Sequence, residues 1–367
     1  MTVLRLLADD LTGALDSAAG FGSSSTPVPV RWQPPAVATG SLALDSGTRE
    51  AGAEQSRERV RRLAPLLHGP DVDVAYKKID SLLRGHEAIE IDTLLRELRP
   101  KHCILAPAFP AQDRVTRGGR QLRRGMDGLW QLVSTDLVAG LAALGHGVHP
   151  AATGEAVPTG LSIWDAETDT DLDRIVAAAA GLDRVLWVGS GGLAAALAQR
   201  FGQARRADSP LLPRPILGLF GTNHPVVQKQ LAAVTEHHET VHDSEEAERV
   251  ARLVRQRDPL LLSVTIPAGT ARDEAARRID ATLAALVRRL DPPGTLIVAG
   301  GETLRGLCEA LSAVQLDVTG EVMPGVPRSV LRGGSWDGAA IVSKSGAFGA
   351  PDLLRRLITP APAPSKE

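Results

Sequence analysis

Cysteine is nearly absent from the 367-residue chain: only Cys103 and Cys308 occur, far apart and without CxxC spacing. That scarcity argues against a disulfide framework or a cysteine-based structural zinc site, and it fits a reducing cytoplasm. Charge of either sign is not in excess, since 41 Lys and Arg face 43 Asp and Glu for a formal net charge of −2. Neither nucleic acid nor a membrane surface is expected as a partner on that balance. No apolar run approaches membrane-spanning length, and the N-terminus lacks the basic and apolar regions of a signal peptide. The expectation is a soluble, cytoplasmic protein.

Signatures of several enzyme classes are missing as well. No G-x-x-x-x-G-K-[ST] occurs, which excludes an ordinary P-loop, and H-R-D is absent. Neither G-x-S-x-G nor H-E-x-x-H is found, which argues against α/β-hydrolase and zinc-protease chemistry.

What is present is a repeated plan of apolar strand, polar tip and helix. With 43% apolar residues the chain exceeds what one core usually supports, so two domains are expected. Val3–Ala8 reads as a buried strand that stops on Asp9 and Asp10, with a helix over Leu11–Gly20. Asp10 has two roles open to it, helix N-cap or ligand contact. Ligands gather beyond the carboxyl ends of strands in open α/β sheets, so a polar tip there marks candidate chemistry.

The plan recurs along the first half. Ser41–Leu44 ends in Asp45-Ser46-Gly47-Thr48-Arg49 and leads to a helical segment through Leu67. Val72–Tyr76 runs into Lys77-Lys78-Ile79-Asp80-Ser81-Leu82-Leu83-Arg84-Gly85, followed by a helix to Leu98. Cys103–Ala106 ends in a loop stiffened by Pro107 and Pro110. Asp113–Gly128, with Arg114, Arg117, Arg120, Arg123 and Arg124, reads as a mobile basic loop suited to clamping anions or to solvation, before a helix over Gln131–Leu144. Arg184–Val188 runs into Gly189-Ser190-Gly191-Gly192, and Gly189 to Ala194 loosely matches a dinucleotide fingerprint. The acidic ribose partner expected some twenty residues on would fall in a Pro-rich stretch, so close helix packing explains these glycines equally well.

Residues 207–215, with three prolines, mark a linker between an N-terminal domain of residues 1–206 and a C-terminal domain of residues 216–367. In the second half Ile216–Phe220 ends in Gly221-Thr222, Thr295–Ala299 ends in Gly300-Gly301-Glu302-Thr303, and Ala339–Ser343 ends in Lys344-Ser345-Gly346. Small residues bare the backbone amides and a lysine supplies a point charge, so such tips suit phosphates. The fold class expected is α/β: two α/β domains, each with a mostly parallel sheet flanked by helices, and a ligand cleft between them.

Six blocks together, Ala8–Ala14, Lys77–Gly85, Ala106–Gln112, Gly300–Thr303, Gly320–Pro327 and Lys344–Gly349, resemble the four-carbon acid sugar kinases in composition and order. The resemblance spans nearly the whole chain. It implies an ATP-dependent enzyme phosphorylating threonate, erythronate, 3-oxo-tetronate or a related hydroxy acid, with acid bound by the N-terminal domain and nucleotide by the C-terminal one. On that resemblance Asp9, Asp10, Asp45, Arg49, Lys77, Lys78, Asp80, Ser81, Arg84 and Gly85 meet the substrate. Gly221, Thr222, Gly300, Gly301, Glu302, Thr303, Lys344, Ser345 and Gly346 meet ATP. Asp10, Asp80 and Arg84 are the expected catalytic residues, with Asp10 and Asp80 both open as proton acceptor and with Arg49, Arg84 and Lys77 or Lys78 gripping anions.

Mg²⁺ is expected from the reaction class, with no dedicated ligand set visible in the sequence. A homodimer is left open. Leu82 stands where the family usually has threonine, His86 where asparagine is common, and Asp113 and Val115 alter a Gly-Arg-Thr-Thr run, which leaves open a changed specificity or a lost activity. Two other classes stay open: an NAD(P)-dependent oxidoreductase using Gly189–Ala194, and a non-catalytic sugar-acid-binding homologue.

Overall fold

A computed structural model describes residues 2–202, 211–221, 224–267 and 269–359, with only the backbone of Arg272 and Asp273. Its contacts divide the chain into two compact units, one comprising Met1–Ser23 and Val28–Ala204, the other Ser24–Pro27 and Arg205–Glu367. Among the described residues no helix is long and apolar enough to cross a membrane.

The first unit starts with β1 (Leu4–Ala8), α1 (Leu11–Ala19), β2 (Val28–Arg31), β3 (Leu42–Asp45), α2 (Ala53–Leu63), β4 (Val74–Lys78) and α3 (Glu87–Leu98). It continues through β5 (His102–Ala106), β6 (Arg114–Arg117), β7 (Arg120–Arg124), β8 (Trp130–Leu132), α4 (Leu137–Ala143), β9 (Val148–Ala151), β10 (Gly160–Trp164), α5 (Asp169–Ala178), β11 (Val185–Gly189) and α6 (Gly191–Phe201). Eight of these strands form a parallel sheet in the order β2-β3-β1-β4-β11-β5-β10-β9. Covered on both faces, such strands need apolar residues in succession, which is why β1 is buried along its whole length. Leu7, Leu44, Leu105 and Val188 pack with Val60 of α2, Ile91 and Leu94 of α3 and Leu141 of α4 on one face. Helices α1, α5 and α6 pack with one another on the other.

The stretch from Asp113 to Gly128 is not a mobile loop: β6, β7 and β8 pair as a three-stranded antiparallel sheet. Gly118 and Gly119, both at positive φ (55° and 70°), make the two-residue turn between β6 and β7. Paired glycines between short runs are a hairpin signal, and the density of arginine obscures it in the sequence. The helix expected over Gln131–Leu144 is correspondingly shorter, since Trp130–Leu132 is strand.

The second unit contains β12 (Ile216–Phe220), α7 (Pro225–Ala232), β13 (His238–Val241), α8 (Ala247–Gln256), β14 (Leu260–Val264) and α9 (Arg272–Val287). It closes with β15 (Thr295–Ala299), α10 (Gly301–Ala310), β16 (Gln315–Met323), β17 (Val326–Arg332), β18 (Ala340–Lys344) and α11 (Leu353–Ile358). Its strand order is β13-β14-β12-β15-β18-β17-β16, parallel as far as β18 and antiparallel beyond. The block around Gly320–Pro327 is the tip of the β16–β17 hairpin, turned at Pro324 and Gly325. Residues 207–210 of the expected linker lie outside the described residues.

Candidate active site

In the first unit the parallel register aligns the polar tips. Ala8 pairs with Asp45 on one side and with Lys78 on the other, so Asp9, the 45–49 segment and the 79–85 loop emerge side by side. Arg49 is the hub. Its Nε and Nη2 reach Asp9 at 2.6 and 2.9 Å, its Nη1 reaches Asp10 at 2.6 Å, and its Nη2 lies 3.7 Å from Asp80. Burial works against the charge on Arg49, but Asp9, Asp10 and Asp80 outweigh it and raise its pKa. Asp45 Oδ1 accepts from the Gly47 N–H at 2.8 Å.

Asp10 takes the N-cap role and also turns an oxygen toward the cluster of tips. Its Oδ1 accepts from the Gly13 N–H at 2.9 Å and caps α1, while its Oδ2 faces Arg49 and accepts from Thr12 Oγ1 at 3.2 Å. Asp80 is gripped bidentately by Arg84, at 2.8 and 2.7 Å, and also accepts from the Leu82 and Arg84 backbone N–H groups. Burial alone would push the Asp80 carboxyl up, yet Arg84, Arg49 and Lys78 hold it well below the usual carboxylate range. The Arg84 side chain remains 63% exposed, leaving a guanidinium face open to solvent.

The two adjacent lysines part company because successive strand residues point to opposite faces. Lys78 faces α1: a Cβ placed on Gly13 would lie 3.2 Å from its Nζ. That ammonium is buried, donates to the Ile79 carbonyl at 2.9 Å, and among the described residues has no carboxylate within 4.0 Å. Lys77, expected at the substrate, instead faces α3 and is fully buried, with Nζ 2.5 Å from Glu90 Oε2. The contact is an ion pair by distance without the alignment of a hydrogen bond, and it removes Lys77 from the cluster of tips.

The three-stranded sheet braces this cluster. Gln121 of β7 donates to the carbonyls of Ser81 and Pro107 at 2.9 and 3.1 Å, and Thr135 donates to that of Leu83 at 3.0 Å. Leu83 takes a positive φ of 54° and Gly85 one of 119°, so the loop turns sharply and needs such anchors. Arg117 and Arg124 stack over Trp130, at 5.3 and 5.9 Å from the ring centroid, and Arg120 pairs with Asp136. Each of those three arginines therefore has a partner within or beside the small sheet. Leu82 packs against the apolar core, and His86 Nε2 lies 2.8 Å from the Ala51 carbonyl oxygen. Glu87, the first residue of α3, is a buried carboxyl beside the cluster that no sequence motif marks.

The glycines of the Gly189–Ala194 segment are used for close packing. A Cβ on Gly189 would lie 2.5 Å from the Ala106 carbonyl oxygen, one on Gly191 2.5 Å from Phe109 Cε1, and one on Gly192 2.6 Å from the Ala108 carbonyl oxygen. These glycines let α6 approach the loop after β5. Gly189→Ala is expected to cost about 1–3 kcal/mol by overpacking, read as a lowered Tm, with no change in affinity for any nucleotide.

In the second unit three tips are neighbours. Phe220 pairs with Ala299, and Ala299 with Lys344, which puts Gly221, Gly300 and Ser345 in a row at parallel strand ends. Gly221 has Thr303 against it, a Cβ there meeting Thr303 Oγ1 at 2.3 Å, and Gly300 has φ 103°. Gly301 and Glu302 open the ten-residue α10, whose first amides face this row. Lys344 is 1% exposed, donates to the Ser345 carbonyl at 2.9 Å, and burial lowers its pKa to about 8. Gly346 follows in the turn after β18, and Gln230 holds that turn by donating to the carbonyls of Phe348, Gly349 and Ala350. Thr222 lies outside the described residues.

Comparison with known proteins follows the same division. Residues 4–145 match a family model for a sugar-binding N-terminal domain, and residues 217–354 match one for a nucleotide-binding C-terminal domain. The D-threonate kinase of Cupriavidus necator is 32% identical, the match covering 95% of each chain. The D-erythronate kinase of Heliobacterium modesticaldum is 27% identical, over 96% of this chain and 95% of its own. A Haemophilus influenzae structure, 20% identical with a TM-score of 0.71 over 96% of this chain and 98% of its own, shares the fold. With a full-length relative at that identity and both domain models matched in order, the chain belongs to the four-carbon acid sugar kinase family.

Proposed function

We propose that this chain transfers the γ-phosphoryl group of ATP to a hydroxyl of a small sugar acid, with D-threonate and D-erythronate the first candidates. The observation that carries the reading is the presence of two unlike sites, one in each unit, in a member of this family. One is a lattice of carboxylates and guanidiniums around Arg49; the other is a row of glycine tips beside the buried Lys344, which among the described residues has no carboxylate within 4.0 Å.

Lys78 and the open face of Arg84 are placed to receive the acid's carboxylate, since both are cations at the tip with capacity for an anion. Asp10 and Asp80 orient the accepting hydroxyl. Phosphoryl transfer passes through a loose transition state, so orientation counts for more than a strong base, and an arginine-held carboxylate such as Asp80 suits that task. The amides at the start of α10 and the Lys344 ammonium would hold the phosphates of ATP. Among the described residues no three His, Cys, Asp or Glu side chains converge as a metal site. Mg²⁺ bound together with ATP would supply charge neutralisation at the phosphates.

The test is ADP release against a panel of C3 to C6 hydroxy acids, with and without Mg²⁺, followed by NMR of the product to locate the phosphate. ADP release with no acid in the panel would overturn the reading. Asp10→Asn and Asp80→Asn are each expected to leave a folded protein with turnover reduced by about 10²–10⁴-fold. Near-wild-type rates in both would remove them from the mechanism.

A further inference from the structure

Glu87 is the odd carboxyl of the first unit. Around it stand Asp9 from the β1 tip, Asp80 from the loop after β4, and Glu90 one turn further along α3. Each of these has a cation: Asp9 has Arg49, Asp80 has Arg84 and Arg49, and Glu90 has Lys77. Glu87 has none within 4.0 Å among the described residues. It is 4% exposed, and its Oε1 is fully buried with no hydrogen-bond partner. A Cβ on Gly85 would lie 3.7 Å from that oxygen and 3.8 Å from the Cα of Arg49, so Glu87 and the Arg49 backbone both flank Gly85 of the 79–85 loop.

Charge counting sharpens the anomaly. Asp9, Asp10, Asp16, Asp80 and Glu90 stand against Arg49, Arg84, Arg114, Lys77 and Lys78, and an ionised Glu87 would be one anion more in a site proposed to take an anionic ligand. The remaining charged neighbours are committed elsewhere: Arg57 of α2 pairs with Asp92 of α3, and the His86 imidazole meets the Ala51 carbonyl. Burial, with Asp9, Glu90 and Asp80 adding to it, outweighs a hydrogen bond from the residue's own backbone N–H and raises the Glu87 pKa to about 7.

We propose that Glu87 is a proton-coupled positioning residue of the acid-binding site: it carries a proton while an anionic substrate occupies the Arg49 cluster, so binding of the acid takes up a proton from solvent. The inference rests on the reading that this unit binds a sugar acid. The uncharged carboxyl leaves Arg49 to Asp9 and Asp10. Once ionised, it competes for Arg49 and repels the incoming carboxylate. By linkage, the acid binds more weakly as pH rises, and the bound acid holds the proton more tightly.

Two measurements decide it. In the first, ¹³C-labelled glutamate spectra of the full-length protein without ligand are followed from pH 4.5 to 9. One Cδ resonance is expected to titrate near neutrality in the wild type and to be missing in Glu87→Gln. In the second, calorimetry of D-threonate and D-erythronate at pH 7.2, in buffers of differing ionisation enthalpy, is expected to show proton uptake in the wild type and none in Glu87→Gln. Over pH 6 to 8.5 the wild-type affinity falls about fivefold or more while that of Glu87→Gln stays level. If every glutamate titrates below pH 5.5, or if an acid binds with no proton uptake, the inference is overturned. Failure of both acids to bind, with the neutral-range resonance present, counts against the choice of substrate and leaves the proton-holding carboxyl standing.

Discussion

Arg49→Lys lowers kcat/KM for the sugar acid by about 100-fold or more while the protein still folds. The expectation follows from geometry. One guanidinium spans Asp9 through two nitrogens, meets Asp10 through a third and leans on Asp80, and an ammonium cannot reproduce that planar fork. The charge survives the substitution, so folding is retained, but the three carboxylates lose their common reference and the tips drift apart. Arg49→Ala is the harsher change. It leaves Asp9, 5% exposed, without its cation, at a cost of about 3–5 kcal/mol. Steady-state kinetics together with a thermal melt separates the two variants: lost activity with a near-normal Tm for Lys, lost activity and a lowered Tm for Ala. Unchanged kcat/KM in Arg49→Lys would remove Arg49 from the proposed acid site.

Lys344→Met is expected to move stability and nucleotide affinity in opposite directions. Burial depresses the Lys344 pKa from 10.5 to about 8. The unfolded chain therefore holds this proton more tightly than the folded one. The resulting penalty is fully present below pH 8 and is relieved as pH rises towards 10.5. At pH 7 it amounts to about 3 kcal/mol, so removing the ammonium without its volume raises Tm by several degrees. The same change removes the point charge proposed to meet the phosphates, and the KM for ATP is expected to rise about 100-fold. In the wild type, affinity for ATP falls above pH 8 as the ammonium deprotonates; in Lys344→Arg it does not. A lowered Tm together with an unchanged KM for ATP in Lys344→Met would show that the lysine is structural.

Much of the architecture was legible because strand, tip and helix leave a local imprint. Ile216–Phe220 and Thr295–Ala299 are strands over the very residues that periodicity marks, since both faces of a parallel strand are apolar and the run ends where burial ends. The elements that escaped are those with mixed faces. The Val28–Arg31 and Val148–Ala151 strands lie at the edges of the first unit's own sheet order, and β6 to β8 hide in a run of arginines. The dinucleotide-like glycines show the opposite failure, a motif legible in sequence whose space is filled by Phe109 and backbone carbonyls.

By itself the amino-acid order determined the two α/β units, the polar tips at their strand ends and the kinship with acid sugar kinases, because each of these is written in contiguous residues. Only the tertiary structure decided which of two adjacent lysines faces the tips, that Arg49 joins three carboxylates 31 to 40 positions away, and that Glu87 stands near them with no cation within 4.0 Å among the described residues. Strand pleat, sheet register and the charge balance of a buried cluster depend on partners distant in the chain, and no local pattern of residues encodes them.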